Sequence, residues 1–121
     1  MTLNNFVILV VEDNHLIRMG AVDLLVNTGF QVIEAETADE AICVLEARPD
    51  IHLVFTDVQM PGTMDGIKLC HYIRDRWPPI KLIVASGRTI LDESQLPVGT
   101  SFFAKPYDHS TIVKTIVSML S

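Results

Sequence analysis

Glu12, Asp13, Asp57, Ser86 and Lys105 each follow directly on an apolar run, and each carries a group that can bind or react. Phe6 to Val11 leads into Glu12-Asp13, Leu53 to Thr56 into Asp57, Lys81 to Ala85 into Ser86-Gly87, and Ser101 to Ala104 into Lys105-Pro106. An apolar run that ends in polar residues and then breaks into Pro or Gly reads as a buried strand delivering a side chain to an exposed loop. In open parallel α/β sheets, ligands bind in the crevice beyond the carboxyl ends of the strands. In a flavodoxin-like strand order the first and third strands are neighbours, so Glu12, Asp13 and Asp57 share that crevice. Two unit charges about 4 Å apart repel by roughly 4 kcal/mol at an effective dielectric of 20. Three carboxylates therefore call for a cation. Lys105 supplies one positive charge, and an oxygen-only donor set suits Mg²⁺, or Mn²⁺ in its place. No His or Cys stands at these strand ends to favour zinc.

Carboxylates, a hard cation, a lysine and a hydroxyl suit phosphoryl transfer, which needs a placed nucleophile and groups that neutralise the phosphoryl oxygens. Asp57 is the nucleophile, because aspartate carboxylates form acyl phosphates. Lys105 and the metal offset the developing charge, while Ser86 and the Gly87 amide donate hydrogen bonds. No Walker A motif or glycine-rich kinase loop occurs, so the phosphoryl donor is expected to be another molecule. Taken singly, each residue has a plainer use: Glu12 and Asp13 as helix caps, Lys105 as a solvated strand end. Their joint placement is what argues for chemistry.

The elements that must position these groups follow in order. The first strand leads to a helix with Ile17, Ala21, Leu24 and Thr28 at helical spacing, stopped by Gly29. A second strand, Phe30 to Glu34, precedes Thr37-Ala38-Asp39-Glu40, which has capping-box spacing, and a helix with Ala38, Ala41, Ile42 and Leu45 on one face, ended by Arg48-Pro49-Asp50. The strand from Ile51 to Thr56 carries Asp57, and a helix from about Gly66 to Asp75 turns Ile67, Cys70 and Ile73 inward before Trp77-Pro78-Pro79 breaks it. After the fourth strand, Arg88 to Gly99 lacks clear periodicity and predicts a short or irregular fourth helix. The fifth strand is followed by a helix from about Asp108 to Leu120 with Ile112, Val113, Ile116, Val117 and Leu120 as its apolar face. Five βα units with right-handed crossovers predict a doubly wound five-stranded parallel sheet of order 2-1-3-4-5, with helices on both faces.

Composition agrees with one domain over residues 1–121, since 49% of its residues are hydrophobic. A net charge of -6 and nine scattered basic residues argue against nucleic acid as a partner of this chain. Cys43 and Cys70 are too few for a disulfide framework and are read as reduced core thiols. His15, His52, His71 and His109 lie outside the strand-end set and receive no catalytic or metal role. No signal-like or membrane-spanning apolar run occurs, so a cytoplasmic location and no membrane partner are expected. Met1 reads as a natural N-terminus.

The motifs Glu12-Asp13, Asp57 with Met60-Pro61 and Asp65-Gly66, Ser86-Gly87 and Lys105-Pro106 resemble those of a response-regulator receiver domain, the CheY-like phosphoacceptor of two-component signalling. The resemblance implies that Asp57 accepts a phosphoryl group from a phosphohistidine on a sensor histidine kinase or phosphotransfer protein. It implies that Asp13, Asp57 and the Gln59 backbone carbonyl hold Mg²⁺, with Glu12 reaching it through water. Ser86 and Phe102 are then the switch pair, Lys105 is the phosphate partner, and the bond before Pro106 is cis. The responsive surface lies around the fourth strand, fourth helix and fifth strand, and the chain catalyses only its own phosphorylation and dephosphorylation. Three departures stand out: Thr63 lengthens the loop after Pro61, the stretch from Ser86 to Lys105 is short and holds Pro97 and Gly99, and Phe102 lacks the hydroxyl of a tyrosine. These argue against dimerisation through the fourth helix and last strand. Gln59 and Arg88 flank the site and are expected to tune the phosphoryl lifetime through water access. Two alternatives are a phosphorylation-independent pseudo-receiver and an aspartyl-phosphate phosphohydrolase. Against the second, Gln59 stands where haloacid-dehalogenase-like enzymes carry a second aspartate.

Overall fold

The computed structural model describes every residue except 1, 2, 61, 63 and 88–92. Its centre is the β-branched run Val7–Val11 (β1), in which all five residues are buried, as expected of a strand covered on both faces. The chain continues through His15–Thr28 (α1), Gln31–Ala35 (β2), Ala38–Ala47 (α2), Ile51–Asp57 (β3), Gly66–Arg76 (α3), Lys81–Ser86 (β4), Ser101–Ala104 (β5) and His109–Leu120 (α4). All strand pairs are parallel and the order is β2-β1-β3-β4-β5, the predicted doubly wound topology. None of the described helices is long and apolar enough to cross a membrane.

Strand alternation splits the core into two layers. Val7, Leu9, Val11, Val54, Leu82 and Val84 pack under α2 and α3 with Ala41, Leu45, Leu69 and Ile73. Ile8, Val10, Leu53, Phe55 and Ile83 face the other way, against Ala21 and Leu25 of α1 and Ile112 and Ile116 of α4. Each helix begins at a side chain that accepts a bond from an otherwise unpaired amide: Asn14, Thr37, Asp65 and Asp108. Gly29 closes α1 at a φ of 120°, its N–H bonding the Leu25 and Val26 carbonyls.

Several expectations need correction. The buried stripe of α1 is Arg18, Ala21 and Leu25, one residue on from the predicted Ile17, and Ile17 is exposed. A hydrophobicity pattern could not find it, because a charged residue occupies the first inward position. Cys43 is exposed, not core, since Ala38, Ala41 and Leu45 turn the opposite side of α2 inward; Cys70 is buried as expected. In α3, Leu69 joins Cys70 and Ile73 in the interior, and Ile67 is only half-buried. Between β4 and β5 the expectation of a short or irregular helix needs no correction, since the described residues hold a 3-10 turn at Glu93–Gln95. Residues 88–92 of that predicted segment, with Arg88, and the inserted Thr63 lie outside the described residues.

The register sets the strand ends level, with Val11 beside Thr56 and Asp57 beside Ala85. Gly66 then locks the entry of α3 against the end of β3. Its N–H donates to the Val58 carbonyl at 2.9 Å, and a Cβ at this position would lie 2.0 Å from the Asp57 carbonyl oxygen. No rotamer relieves a clash with backbone, so Gly66→Ala must displace either α3 or the Asp57 peptide. We expect it to lower the unfolding free energy by about 1–3 kcal/mol, read from urea denaturation. Burial pushes the Cys70 thiol up to about 12, leaving almost no reactive thiolate near neutral pH. Mild alkylation of the native chain should therefore label Cys43 alone, and mass spectrometry should find both thiols labelled only after denaturation.

Candidate functional site

The acidic loop after β1 is fixed by the backbone before any side chain acts, because Glu12 N–H donates to the Ala35 carbonyl of β2 at 3.1 Å. Val58 N–H likewise donates to the Ala85 carbonyl, and Lys105 N–H donates to the Ser86 carbonyl at 2.7 Å. Three strand ends are thus tied at one height. Asp57 sits on the last residue of β3, and the buried Thr56 hydroxyl bonds the Asp57 carbonyl at 3.0 Å.

From these anchors the predicted groups converge. Lys105 Nζ donates to Glu12 Oε1 at 2.6 Å and stands 3.0 Å from Asp57 Oδ1. Each of Glu12, Asp13 and Asp57 offers a carboxylate oxygen within 4.8 Å of the other two. Glu12 and Asp57 are buried and Asp13 is exposed, so the cup opens to solvent on the Asp13 side. Ser86 Oγ donates to the Gln59 side-chain oxygen at 3.2 Å, bringing two further predicted residues to the rim. Phe102 is half-buried on β5, beside Val84 and against the core layer under α2 and α3. The Lys105-Pro106 bond is cis.

The electrostatics follow from this packing. Burial pushes the Glu12 carboxyl above its usual range, opposed by the bond from Lys105 and reinforced by the Asp57 charge. Burial works to lower the Lys105 ammonium, but the bond to Glu12 and the Asp57 carboxylate outweigh it and hold Lys105 above its ordinary value. One lysine still faces three carboxylates. Asp57 Oδ1 is buried, and its partner among the described residues is the Lys105 ammonium, 3.0 Å away. One ammonium shared between Glu12 and Asp57 leaves the three-carboxylate cluster with an excess of negative charge, which favours a further cation. The all-oxygen donors Asp13 and Asp57, with Glu12 behind them, fit a hard divalent ion.

Tyr107 and Arg18 escaped the sequence reading, and Gly66 was read as part of a motif without its contact. Tyr107 walls the cleft beside Glu12, Asp57 and Lys105 and packs on Phe55 with ring centroids 5.6 Å apart. Burial raises its phenol above the ordinary range, so it stays neutral beside the cup. Gly66 sets the Asp57 peptide. Arg18 is buried, and its Nη1 donates to the Glu12 backbone carbonyl at 2.9 Å. A basic residue five places after the acidic pair was the available signal, but α-helix spacing alone does not show that its side chain points back toward the loop.

Comparison with known proteins agrees with the geometry. A family model described as the response regulator receiver domain matches residues 8–117. The transcriptional regulatory protein ResD of Bacillus subtilis is 35% identical over 120 residues, covering 97% of this chain and 49% of ResD. Sensor kinase CckA of Brucella abortus is 34% identical over 117 residues, covering 93% of this chain but 12% of that protein. The crystal structure of a receiver domain from the hybrid histidine kinase CckA superposes with a TM-score of 0.80 at 31% identity, covering 95% of this chain and 99% of that one. The chain therefore spans about half the length of one of these curated relatives and about an eighth of the other. With five parallel strands in this order and four strand-end groups meeting in one acidic cup, the chain belongs to the response regulator receiver domain family of two-component signalling.

Proposed function

We propose that this receiver accepts a phosphoryl group on Asp57 from a phosphohistidine of a histidine kinase or phosphotransfer protein, in a reaction that requires Mg²⁺. The observation that carries the reading is the buried Asp57 carboxylate, one oxygen of which lies 3.0 Å from Lys105, inside a cluster of three carboxylates. In the step itself an Asp57 oxygen forms a bond to phosphorus, the P–N bond to the donor imidazole breaks, and the nitrogen keeps the electron pair. Asp13 and Asp57, with the Gln59 backbone carbonyl, would hold the ion, and Glu12 would reach it through water. Bound there, it would neutralise phosphoryl oxygens. Lys105 is already placed to balance the added charge. Ser86 would exchange its bond to Gln59 for one to a phosphoryl oxygen, a change of partner that Phe102 on the adjacent strand can follow. Gln59, exposed at the rim, is placed to govern water access to the acyl phosphate. The chain acts on its own side chain rather than on an external substrate.

Incubation of the purified chain with acetyl phosphate and Mg²⁺ should add the mass of one phosphoryl group, mapped to Asp57. Chelation by EDTA or the change Asp57→Asn should abolish it. A wild-type chain that stays unmodified by both acetyl phosphate and a phosphorylated kinase would overturn the proposal in favour of a binding module. Lys105→Met should slow the modification by about 10²-fold, the usual effect of losing one group that stabilises developing charge. Lys105 is held above its ordinary value in the fold, so its contribution to stability is fully present below that ordinary value and is lost as pH rises through the raised one. Urea midpoints of the wild type should therefore fall more steeply than those of Lys105→Met as pH rises above about 10.4.

A further inference from the structure

Arg18 is a full positive charge on α1 whose side chain is 8% exposed, an expensive placement unless every donor is used. Each of the three guanidinium nitrogens has a partner. Nε binds Glu34 Oε1 at 2.9 Å, Nη2 lies 3.3 Å from Glu36 Oε1 and 3.2 Å from His15 Nδ1, and Nη1 bonds the Glu12 carbonyl at 2.9 Å. Glu34 and Glu36 supply the countercharge from the end of β2 and the residue just past it, and both remain solvent-accessible. The guanidinium is thus a rigid strut between the β2 end and the peptide from which the acidic pair projects. Arg18 touches none of the three carboxylates of the cup, yet it grips the carbonyl between Glu12 and Asp13. Rotation of that peptide would swing both carboxylates, withdrawing Glu12 from Lys105 and Asp13 from Asp57.

We propose that Arg18 is a positioning residue for the cation site: by anchoring the Glu12 carbonyl to Glu34 and Glu36, it sets the divalent-ion affinity of the acidic cup. The inference rests on the reading of the cup as a Mg²⁺ site. The fork of the guanidinium matters, because bonding a carbonyl and two carboxylates at once requires several donors in one plane. Lysine can keep the charge but not the three-way geometry. Partners that orient ligands from behind typically contribute 10–100-fold to metal affinity.

Calorimetric titration of the full chain with Mg²⁺ tests this, alongside thermal melting in EDTA to establish folding. Arg18→Met should weaken Mg²⁺ binding by about tenfold, with Arg18→Lys recovering only part of the loss. The double change Glu34→Gln with Glu36→Gln leaves Arg18 and the cup in place but loosens the strut, and it should weaken binding in the same direction by a smaller factor. This variant keeps the inference testable even if Arg18→Met fails to fold. Affinities within about twofold of wild type in the folded variants, with only the melting temperature in EDTA reduced, would overturn the inference and leave Arg18 a structural residue. A wild-type chain that binds no Mg²⁺ would instead overturn the reading of the cup itself.

Discussion

The ion pair of Lys105 with Glu12 and Asp57 is the constraint on which the rest of the site depends. It joins the ends of β1, β3 and β5, residues 93 positions apart in the case of Lys105 and Glu12. Its strength comes from burial: in water such contacts contribute little, but beneath the rim the charges are poorly screened. Burial also penalises every charge present, so the arrangement is only partly compensated. That shortfall is the physical basis of the proposal that the cup takes up a cation and then a phosphoryl group.

The fold supplies the height at which these groups meet. Parallel strands in level register bring successive loops out on the same side, and backbone bonds from Glu12, Val58 and Lys105 to the neighbouring strand fix each loop. Gly66 allows α3 to begin against the Asp57 peptide with no side chain between them. Arg18 performs the reverse task, filling the space behind the acidic loop with a charge that bonds oxygens of Glu12, Glu34 and Glu36. One residue is required for the volume it lacks and the other for the donors it carries.

Charge is also distributed with a purpose across the two faces of the acidic loop. Lys105 draws the Glu12 side chain toward Asp57, while Arg18 holds the Glu12 carbonyl from the opposite side. Side chain and backbone of one residue are therefore pulled in a defined direction by two cations from different elements. Asp13, exposed and next in sequence, is left facing solvent, where an incoming ion can reach it. The rim pair Ser86 and Gln59 lies on the β3 and β4 side and is joined by a neutral bond of 3.2 Å.

Local sequence was enough to determine the strands, the Thr37 helix cap and the identity of the groups delivered to the crevice. An apolar run ending in Asp, Ser or Lys records strand and loop directly, and a side-chain oxygen before a helix records its start. Asp13, Asp57, Ser86 and Lys105 were legible for that reason. What only the tertiary structure decided depends on direction and contact between distant residues: that α1 buries Arg18 instead of Ile17, that Cys43 faces solvent, that Gly66 abuts a carbonyl, and that Tyr107 walls the cup. Hydrophobic periodicity finds the face of a helix to within about one residue, because neighbouring positions on it are 100° apart. It carries no term for a buried charge satisfied by partners on another strand, and that satisfaction exists only once the sheet has brought them together.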